Sequence, residues 1–176
     1  MIYDNLIHNE SIVEQFKKYI QTNTIPNAFL FYGNEGGGKF GHAVELAHMI
    51  LSEGSEDINT HNKIKKNIHE NINYILPLPR QKAIGKTDSA LKALRAIDIE
   101  NIHEQLKTKL SSPYYKIELE KANTILINSI RDIKKNIYHN NDGRYTVYLI
   151  FDAEKLCYPR NESGNALLKI LEEPPP

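Results

Sequence analysis

A glycine-rich run of eight residues has the residue types and spacing of a phosphate-binding loop. The expected pattern is a glycine, four residues, then Gly-Lys followed by Ser or Thr, whose hydroxyl holds Mg²⁺. Glycines let backbone N–H groups point at phosphate oxygens, and the lysine reaches the outer phosphates. Phe40 stands where the hydroxyl belongs, so the pattern predicts a phosphate site that lacks one catalytic part. The run consists of Gly33, Asn34, Glu35, Gly36, Gly37, Gly38, Lys39 and Phe40.

The residues on both sides of this run fit a nucleotide-binding loop. The segment Ala28–Tyr32 is a short, continuous apolar run before glycine, which is typical of a buried parallel strand. After the loop, apolar residues recur at helical spacing as far as Leu51 and predict an amphipathic helix. A strand, a glycine-rich loop and a helix form the context that the motif requires. The alternative is an ordinary turn between a strand and a helix that contains a lysine.

A second candidate site follows the segment Tyr145–Phe151, whose β-branched and aromatic residues predict a strand. Asp152 comes next, where a nucleotide hydrolase places the aspartate that helps to hold Mg²⁺. Such hydrolases usually have a glutamate directly afterwards to orient water, but here Ala153 intervenes and Glu154 comes one residue late. The alternative is an aspartate that only caps the next turn. Together, Phe40 and Ala153 predict poor hydrolysis, while nucleotide binding remains open.

The amino-acid composition argues against several classes of protein. The chain has 176 residues with 22 basic and 22 acidic side chains, so a global basic field for nucleic acid is absent. It has one cysteine, Cys157, and its seven histidines lack metal-ligand spacing, so we expect no metal centre and no zinc. No apolar run approaches the length of a membrane span, and the first residues do not resemble a signal peptide. We therefore expect a cytoplasmic protein without membrane contact.

Helical periodicity is clear near both ends of the chain. It covers residues 9–21, with Asn9 or Ser11 as the cap, and resumes from Thr124 to Ile137. A further helix is predicted at Asn161–Glu173 and ends at a proline. In that helix we expect three leucines in the core, namely Leu167, Leu168 and Leu171.

The middle of the chain is less regular. We interpret residues 52–112 as an insertion that contains a short strand, Asn73–Leu76, and a loose helix, Ser89–Leu110. The basic run Lys63–Lys66 is expected to be solvated, and a turn is predicted at Asn140–Gly143. Strands that alternate with helices predict an α/β fold with a mainly parallel sheet and helices on both faces.

Several segments resemble the AAA+ subunits of bacterial clamp loaders, which are the gamma/tau and delta-prime subunits of DNA polymerase III. The most specific is Asn165–Pro175, which is similar to the family signature Asn-Ala-Leu-Leu-Lys-x-Leu-Glu-Glu-Pro-Pro. Three other segments resemble further parts of the family pattern. These parts are the segment that leads into the P-loop, the helix before the strand that ends at the aspartate, and a short motif near the adenine of the nucleotide. The three segments are Ile25–Gly33, Ile127–Ile133 and Asn5–Glu10. The resemblance spans most of the chain except about residues 52–112.

The resemblance implies a P-loop NTPase with the RecA-like core of AAA+ proteins. Residues 1–176 would form its N-terminal nucleotide-binding domain, with the insertion at about 52–112. We expect lid and collar domains, and a Ser-Arg-Cys segment that lends an arginine finger to a neighbour, to lie beyond Pro176. The family's four-cysteine zinc module has no counterpart here, because the corresponding region contains no cysteine.

The departures from the family pattern favour delta-prime. Gamma/tau subunits are expected to keep the hydroxyl and the glutamate that Phe40 and Ala153 replace. The resemblance thus implies a part of the DNA polymerase III holoenzyme that helps to load the sliding clamp onto primed DNA, with weak or absent ATP hydrolysis. Its implied partners are other clamp-loader subunits in a hetero-oligomeric ring, the sliding clamp and primer–template DNA. We expect weak, Mg²⁺-insensitive binding of ATP or ADP at Gly33–Phe40.

Two alternatives remain open from the sequence. The first is an active gamma/tau-like ATPase in which backbone contacts compensate for Phe40. The second is a P-loop nucleotide-binding switch or kinase that is unrelated to replication. ATP turnover in a reconstituted complex separates the first from delta-prime, and association with polymerase subunits separates the second.

Overall fold

The part of the chain that the structure describes contains six α-helices and two short strands. The computed structural model describes residues 2–55, 57–139 and 145–173. The helices are α1 (Glu10–Thr22), α2 (Lys39–Leu51), α3 (Ile58–Lys65), α4 (Ala96–Ser111), α5 (Ile127–His139) and α6 (Glu162–Glu172). The strands are β1 (Ile72–Ile75) and β2 (Val147–Ile150), and short 3-10 helices cover Ala90–Ala93 and Ala153–Cys157.

The first helix begins and ends as its sequence predicts. Asn9 is the N-cap of α1, and its side chain accepts a hydrogen bond from the backbone N–H of Ile12. Asn23 ends the helix in the left-handed conformation, with φ of 50°, which asparagine tolerates better than most residues. Val13 and Phe16 are buried on one face, so the predicted helix over residues 9–21 is confirmed.

The chain divides into two compact units. Unit 1 consists of Met1–Ile72, Gln105–Ile117 and Tyr145–Val147. Its core contains Phe16 of α1 with Leu46 and Ile50 of α2, and further apolar side chains pack against these three. The helical period of α1 and α2 brings these residues to facing sides, so burial of the shared apolar surface holds the two helices together.

Unit 2 consists of Asn73–Glu104, Glu118–Arg144 and Tyr148–Pro176. Its core includes Ile125 and Ile130, both 0% exposed, and partly buried residues of α6 pack against it. The hydroxyl of Ser163, buried in the first turn of α6, donates to the backbone carbonyl of Ile125 at 2.7 Å. The buried amide of Asn128 in α5 donates to the carbonyls of Gly85 and Asp88, at 2.9 and 2.7 Å, and so holds a loop of the middle region.

The strands β1 and β2 pair in a small parallel sheet. The N–H of Val147 donates to the carbonyl of Asn71 at 2.8 Å, and the N–H of Phe151 donates to that of Ile75 at 2.9 Å. Both strand predictions are confirmed, and the described elements form a mixed α/β structure. In place of the larger sheet predicted with helices on both faces, the described residues contain two paired strands.

The predicted strand at Ala28–Tyr32 is wrong for the described structure. Phe29 and Phe31 pack against the core of unit 1, while Leu30 and Tyr32 are 75% and 87% exposed. The side chains therefore alternate as in a strand, but the structure assigns no strand to the segment, because no neighbouring strand supplies a hydrogen-bonded ladder. An apolar run predicts an extended backbone more securely than it predicts a pairing partner.

One further prediction, about the core, needs correction, and one about the surface is confirmed. Leu168 and Leu171 were expected in the core, but they are 54% and 37% exposed, and Leu167 is the leucine of that set that packs against the core of unit 2. The three lysines of the run Lys63–Lys66 are exposed as predicted, while Ile64 between them is 1% exposed and anchors α3. The predicted turn Asn140–Gly143 lies outside the described residues.

Candidate nucleotide-binding loop

The backbone of the glycine-rich loop adopts positive φ angles that glycine tolerates better than other residues. Gly33, Gly36 and Gly38 have φ of 136°, 76° and 72°, a region that is strained for residues with a Cβ. The N–H of Gly37 donates to the carbonyl of Asn34 at 3.2 Å, which closes the turn. Gly38 is the N-cap of α2, so the loop leads directly into the N-terminus of a 13-residue helix. Backbone N–H groups at such a terminus favour anions.

The ammonium group of Lys39 is folded back onto the loop. Its Nζ donates to the carbonyls of Gly33 and Asn34, at 2.9 and 2.7 Å. These bonds occupy two of the three N–H donors of an ammonium group and leave one for another acceptor. The lysine charge is thus held at the loop, where a phosphate group would approach the backbone N–H groups.

A second lysine lies next to the replaced hydroxyl position. The Nζ of Lys109 lies 5.0 Å from the centroid of the Phe40 ring, within the range of a cation–π interaction. Lys109 is in the last turn of α4 and belongs to unit 1, as does Phe40. Its Nζ also donates to the carbonyls of Pro113, at 2.8 Å, and of Tyr115. The turn that ends α4 therefore fixes this ammonium group over the phenylalanine ring.

The charges around the loop influence one another. Burial lowers the pKa of Lys109, and the positive charge of Lys39 lowers it further. Glu35 forms an ion pair with Lys116 at 2.9 Å, and this hydrogen-bonded partner holds the pKa of the Glu35 carboxyl below its usual value. The loop region of unit 1 thus combines three ammonium groups with one paired carboxylate.

His42 joins the loop to the start of α1. The N–H of Asn9 donates to Nε2 of His42 at 3.1 Å, so Nε2 acts as the acceptor and Nδ1 carries the proton. Nδ1 then donates to the carbonyl of Gly38 at 2.9 Å. Leu6 packs close by, since a Cβ added at Gly41 would lie 2.6 Å from its Cδ1. The buried imidazole therefore links the start of α1 to the loop, and the side chain of Leu6, before α1, packs against Gly41 of α2.

Residues near the N-terminus are tied to the same helix. Oε1 of the buried Glu45 accepts hydrogen bonds from the N–H groups of Ile2, at 2.6 Å, and Tyr3, at 3.2 Å. No sequence motif pointed to His42, Glu45 or Lys109 as parts of this site. The helical spacing of His42 and Glu45 after the loop was a usable signal, whereas Lys109 is distant in the chain and belongs to no motif.

The second candidate site lies in unit 2. Asp152 follows β2 with φ of 48°, and Lys155 donates to its Oδ2 at 3.0 Å. Glu154 is exposed and lines an open cavity of about 550 Å³ together with Asn123, Lys155 and Tyr158. The predicted metal-binding carboxylate therefore has a lysine partner, and the late glutamate lines an open cavity together with that same lysine.

Comparison with known proteins decides the family. A family model described as DNA polymerase III, delta subunit, matches residues 8–176, which is nearly the whole chain. The chain belongs to this family. The clamp-loader resemblance is confirmed, and the match speaks against a switch or kinase unrelated to replication.

A curated relative agrees with this family but matches a short stretch. The DNA polymerase III subunit gamma of Buchnera aphidicola subsp. Schizaphis graminum (strain Sg) is 43% identical to the chain over 60 residues. Those residues are 34% of this chain and 16% of the relative, so the chain spans a small part of that protein's length. No solved structure matches the chain significantly.

The described residues also bear on membrane association and on metal binding. Within residues 2–55, 57–139 and 145–173, no helix is long and apolar enough to cross a membrane. Those same ranges contain no group of three or more His, Cys, Asp or Glu residues that could hold a metal ion.

Proposed function

We propose that the chain acts as a delta-prime-like clamp-loader subunit of DNA polymerase III with little or no ATP hydrolysis of its own. The observation that carries this proposal is the ammonium group of Lys109 over Phe40, where a hydrolytic P-loop has a hydroxyl and Mg²⁺. Family membership supports the clamp-loader role, and the altered loop supports delta-prime over gamma/tau.

The geometry of both candidate sites supports weak hydrolysis. Phosphoryl transfer depends on Mg²⁺ that bridges the outer phosphates and on a residue that orients the attacking water. Phe40 offers no oxygen ligand, and the carboxylate of Asp152 is paired with Lys155. Ala153 takes the place of the water-orienting glutamate. We propose that Gly33–Phe40 still binds ATP or ADP weakly, through backbone N–H groups and Lys39.

The proposed partners are those of a ring-shaped AAA+ assembly. In this proposal, residues 1–176 form the N-terminal nucleotide-binding domain, and the chain joins other clamp-loader subunits. The assembled ring acts on the sliding clamp and on primer–template DNA, and this subunit influences the hydrolysis of ATP by a neighbour. Such contacts to DNA are made to phosphates and carry little sequence specificity.

ATP turnover by the reconstituted clamp loader tests this role. The change is Lys39→Ala in this chain, with Lys18→Ala on the exposed surface of α1 as the matched control. We expect both complexes to keep turnover within about twofold of the unmodified complex, because the neighbouring subunits supply the catalytic groups. Turnover is measured with the sliding clamp and primed DNA present, after co-purification has shown that each complex assembles.

A second candidate function is an active gamma/tau-like ATPase. It is favoured by the 43% identity to a gamma subunit over 60 residues. Loss of most turnover on Lys39→Ala, with Lys18→Ala unaffected, would establish this alternative and reject the delta-prime proposal. If the full-length protein does not co-purify with other clamp-loader subunits, both candidates are rejected.

A further inference from the structure

We propose that Lys109 takes the electrostatic role of Mg²⁺ at the glycine-rich loop, so that the loop binds the polyphosphate of a nucleotide without a metal ion. This inference rests on the proposed nucleotide binding at Gly33–Phe40. It identifies Lys109 as the residue that determines whether the nucleotide binds with or without Mg²⁺. No sequence motif points to Lys109, because only the folded chain brings it next to Phe40.

The ammonium group of Lys109 lies beside the residue that replaces the hydroxyl of a P-loop. In a P-loop the residue after the lysine presents its side chain to the metal that bridges the outer phosphates. Phe40 has this position, and the ammonium group of Lys109 lies 5.0 Å from its ring centroid. The carbonyls of Pro113 and Tyr115 hold the same ammonium group in place. The cation is thus fixed before any ligand arrives, which lowers the entropic cost of binding.

Lys39 and Lys109 give the loop an excess of positive charge. The contacts described for Lys109 are neutral carbonyls and an aromatic ring, and those described for Lys39 are neutral carbonyls. Neither set contains a carboxylate, although the charge of Glu35 also acts on Lys39. The ammonium groups of Lys39, Lys109 and Lys116 outnumber this one carboxylate, so a surplus of positive charge remains at the loop. The nearby Glu35 is paired with Lys116. In a chain whose net charge is zero, this surplus is local, and it favours a polyanion.

The same arrangement disfavours a divalent cation. Mg²⁺ requires oxygen ligands at short distance in near-octahedral geometry, and the phenylalanine ring supplies none. The ammonium group of Lys109 would repel a second cation beside it. A nucleoside di- or triphosphate would therefore enter as the metal-free anion, with its negative charge balanced by Lys39, Lys109 and the N–H groups at the start of α2.

Binding of ADP to the full-length chain tests this inference. The change is Lys109→Met, which keeps the length and apolar stem of the side chain and removes the charge. The matched control is Lys107→Met, an exposed lysine of the same helix. For the unmodified chain and the control we expect the same Kd, within about twofold, in EDTA and in Mg²⁺. For Lys109→Met we expect a Kd in EDTA that is at least about tenfold weaker, as loss of a charge-assisted contact implies.

Because Lys109 also contacts two carbonyls, a charge-preserving variant guards against a merely structural effect. Lys109→Arg is expected to bind ADP within about threefold of the unmodified chain, since it keeps the positive charge. Equal Kd values for Lys109→Met and Lys107→Met would overturn the inference. So would a Kd of the unmodified chain that tightens about tenfold or more on addition of Mg²⁺, or no binding of ADP at all. None of these results affects the assembly and turnover tests of the clamp-loader role.

Discussion

Phe40 shows how one residue can change the chemistry of a motif while the backbone of the motif stays intact. The loop before it still has three glycines with positive φ and a lysine that reaches back to the loop carbonyls. The aromatic ring, however, contacts an ammonium group and has no atom that could bind a metal ion. In the proposed function, the replacement at Phe40 therefore separates the binding of a nucleotide from its hydrolysis.

Gly41 is a residue whose small size is required by packing. A Cβ at this position would lie 2.6 and 2.9 Å from the two terminal carbons of the buried Leu6 and 3.2 Å from Pro113. We predict that Gly41→Ala destabilises the protein by about 1 kcal/mol, because overpacking of about 1–3 kcal/mol outweighs a gain in helix propensity of about 0.5–1 kcal/mol. Urea unfolding measures this free energy.

A double-mutant cycle shows whether the cause is the contact with Leu6. In the background Leu6→Val, the cost of Gly41→Ala is expected to fall by at least about 0.5 kcal/mol, as for residues in direct contact. Additive effects of the two substitutions would show that the contact does not set the cost. A more stable Gly41→Ala variant would show that helix propensity dominates.

Helices α2 and α3 meet at a pair of histidines in unit 1. The rings of His48 and His61 are 5.9 Å apart in an edge-to-face arrangement. Burial is the main reason that the pKa of each imidazole is lowered. The charge of His61 lowers the pKa of His48 further, and the charge of Lys65 lowers that of His61 further. Glu45 raises the pKa of both histidines, and a bond to Asp57 raises that of His48, but burial prevails. Packing of these two helices thus favours neutral imidazoles.

The stability of this contact is predicted to depend on pH. Because the folded-state pKa values lie below the unfolded value of about 6.5, the stabilisation is complete above that pH and is lost as pH falls through it. We expect the free energy of unfolding, measured in urea, to drop between about pH 7.5 and pH 5.5. The double variant His48→Gln, His61→Gln should show a smaller drop, with the remainder due in part to His69, whose pKa is also lowered.

The exposed His103 provides the control for this measurement. His103→Gln should leave the pH-dependent drop unchanged. An equal drop in the double variant and in the unmodified protein would show that the α2–α3 contact does not sense the charge of these imidazoles.

The charge of the whole molecule limits how it meets DNA. With 22 basic and 22 acidic residues, the chain has no net field to attract a polyanion over a distance. The positive surplus at the glycine-rich loop is confined to a few lysines. Contact with primer–template DNA in the proposed function is therefore a property of the assembled ring, in which several subunits contribute phosphate contacts.

We predict that the chain alone binds a primer–template duplex weakly and with a shallow dependence on salt. Each neutralised phosphate contributes about −0.9 to the slope of log K against log salt concentration, and we expect fewer than about four such contacts. Fluorescence anisotropy of a labelled duplex between about 50 and 200 mM salt measures this slope. A slope steeper than about −6 would show a basic DNA-binding face that the neutral charge balance does not predict.

Much of the secondary structure could be predicted from the residues themselves. The apolar spacing of α1, α2, α5 and α6, the cap at Asn9 and the two short strands all depend on neighbours within a few positions. The glycine-rich loop and the Asn165–Pro175 signature were recognisable for the same reason, and the family match confirms the resemblance that they carry. These features are encoded locally, so the sequence alone was enough to predict them.

Pairing and side-chain partners were decided by contacts between distant parts of the chain. The segment Ala28–Tyr32 has the composition of a strand, but a strand needs a neighbour, and composition does not specify one. Leu168 and Leu171 follow the helical period, yet the packing of α6 leaves them exposed. Lys109 meets Phe40 because the end of α4 folds back within unit 1. The identity of Phe40 was enough to predict the loss of a metal ligand. The ammonium group of Lys109 beside it could not be predicted in this way, because the proximity of residues far apart in the chain depends on how the whole unit folds.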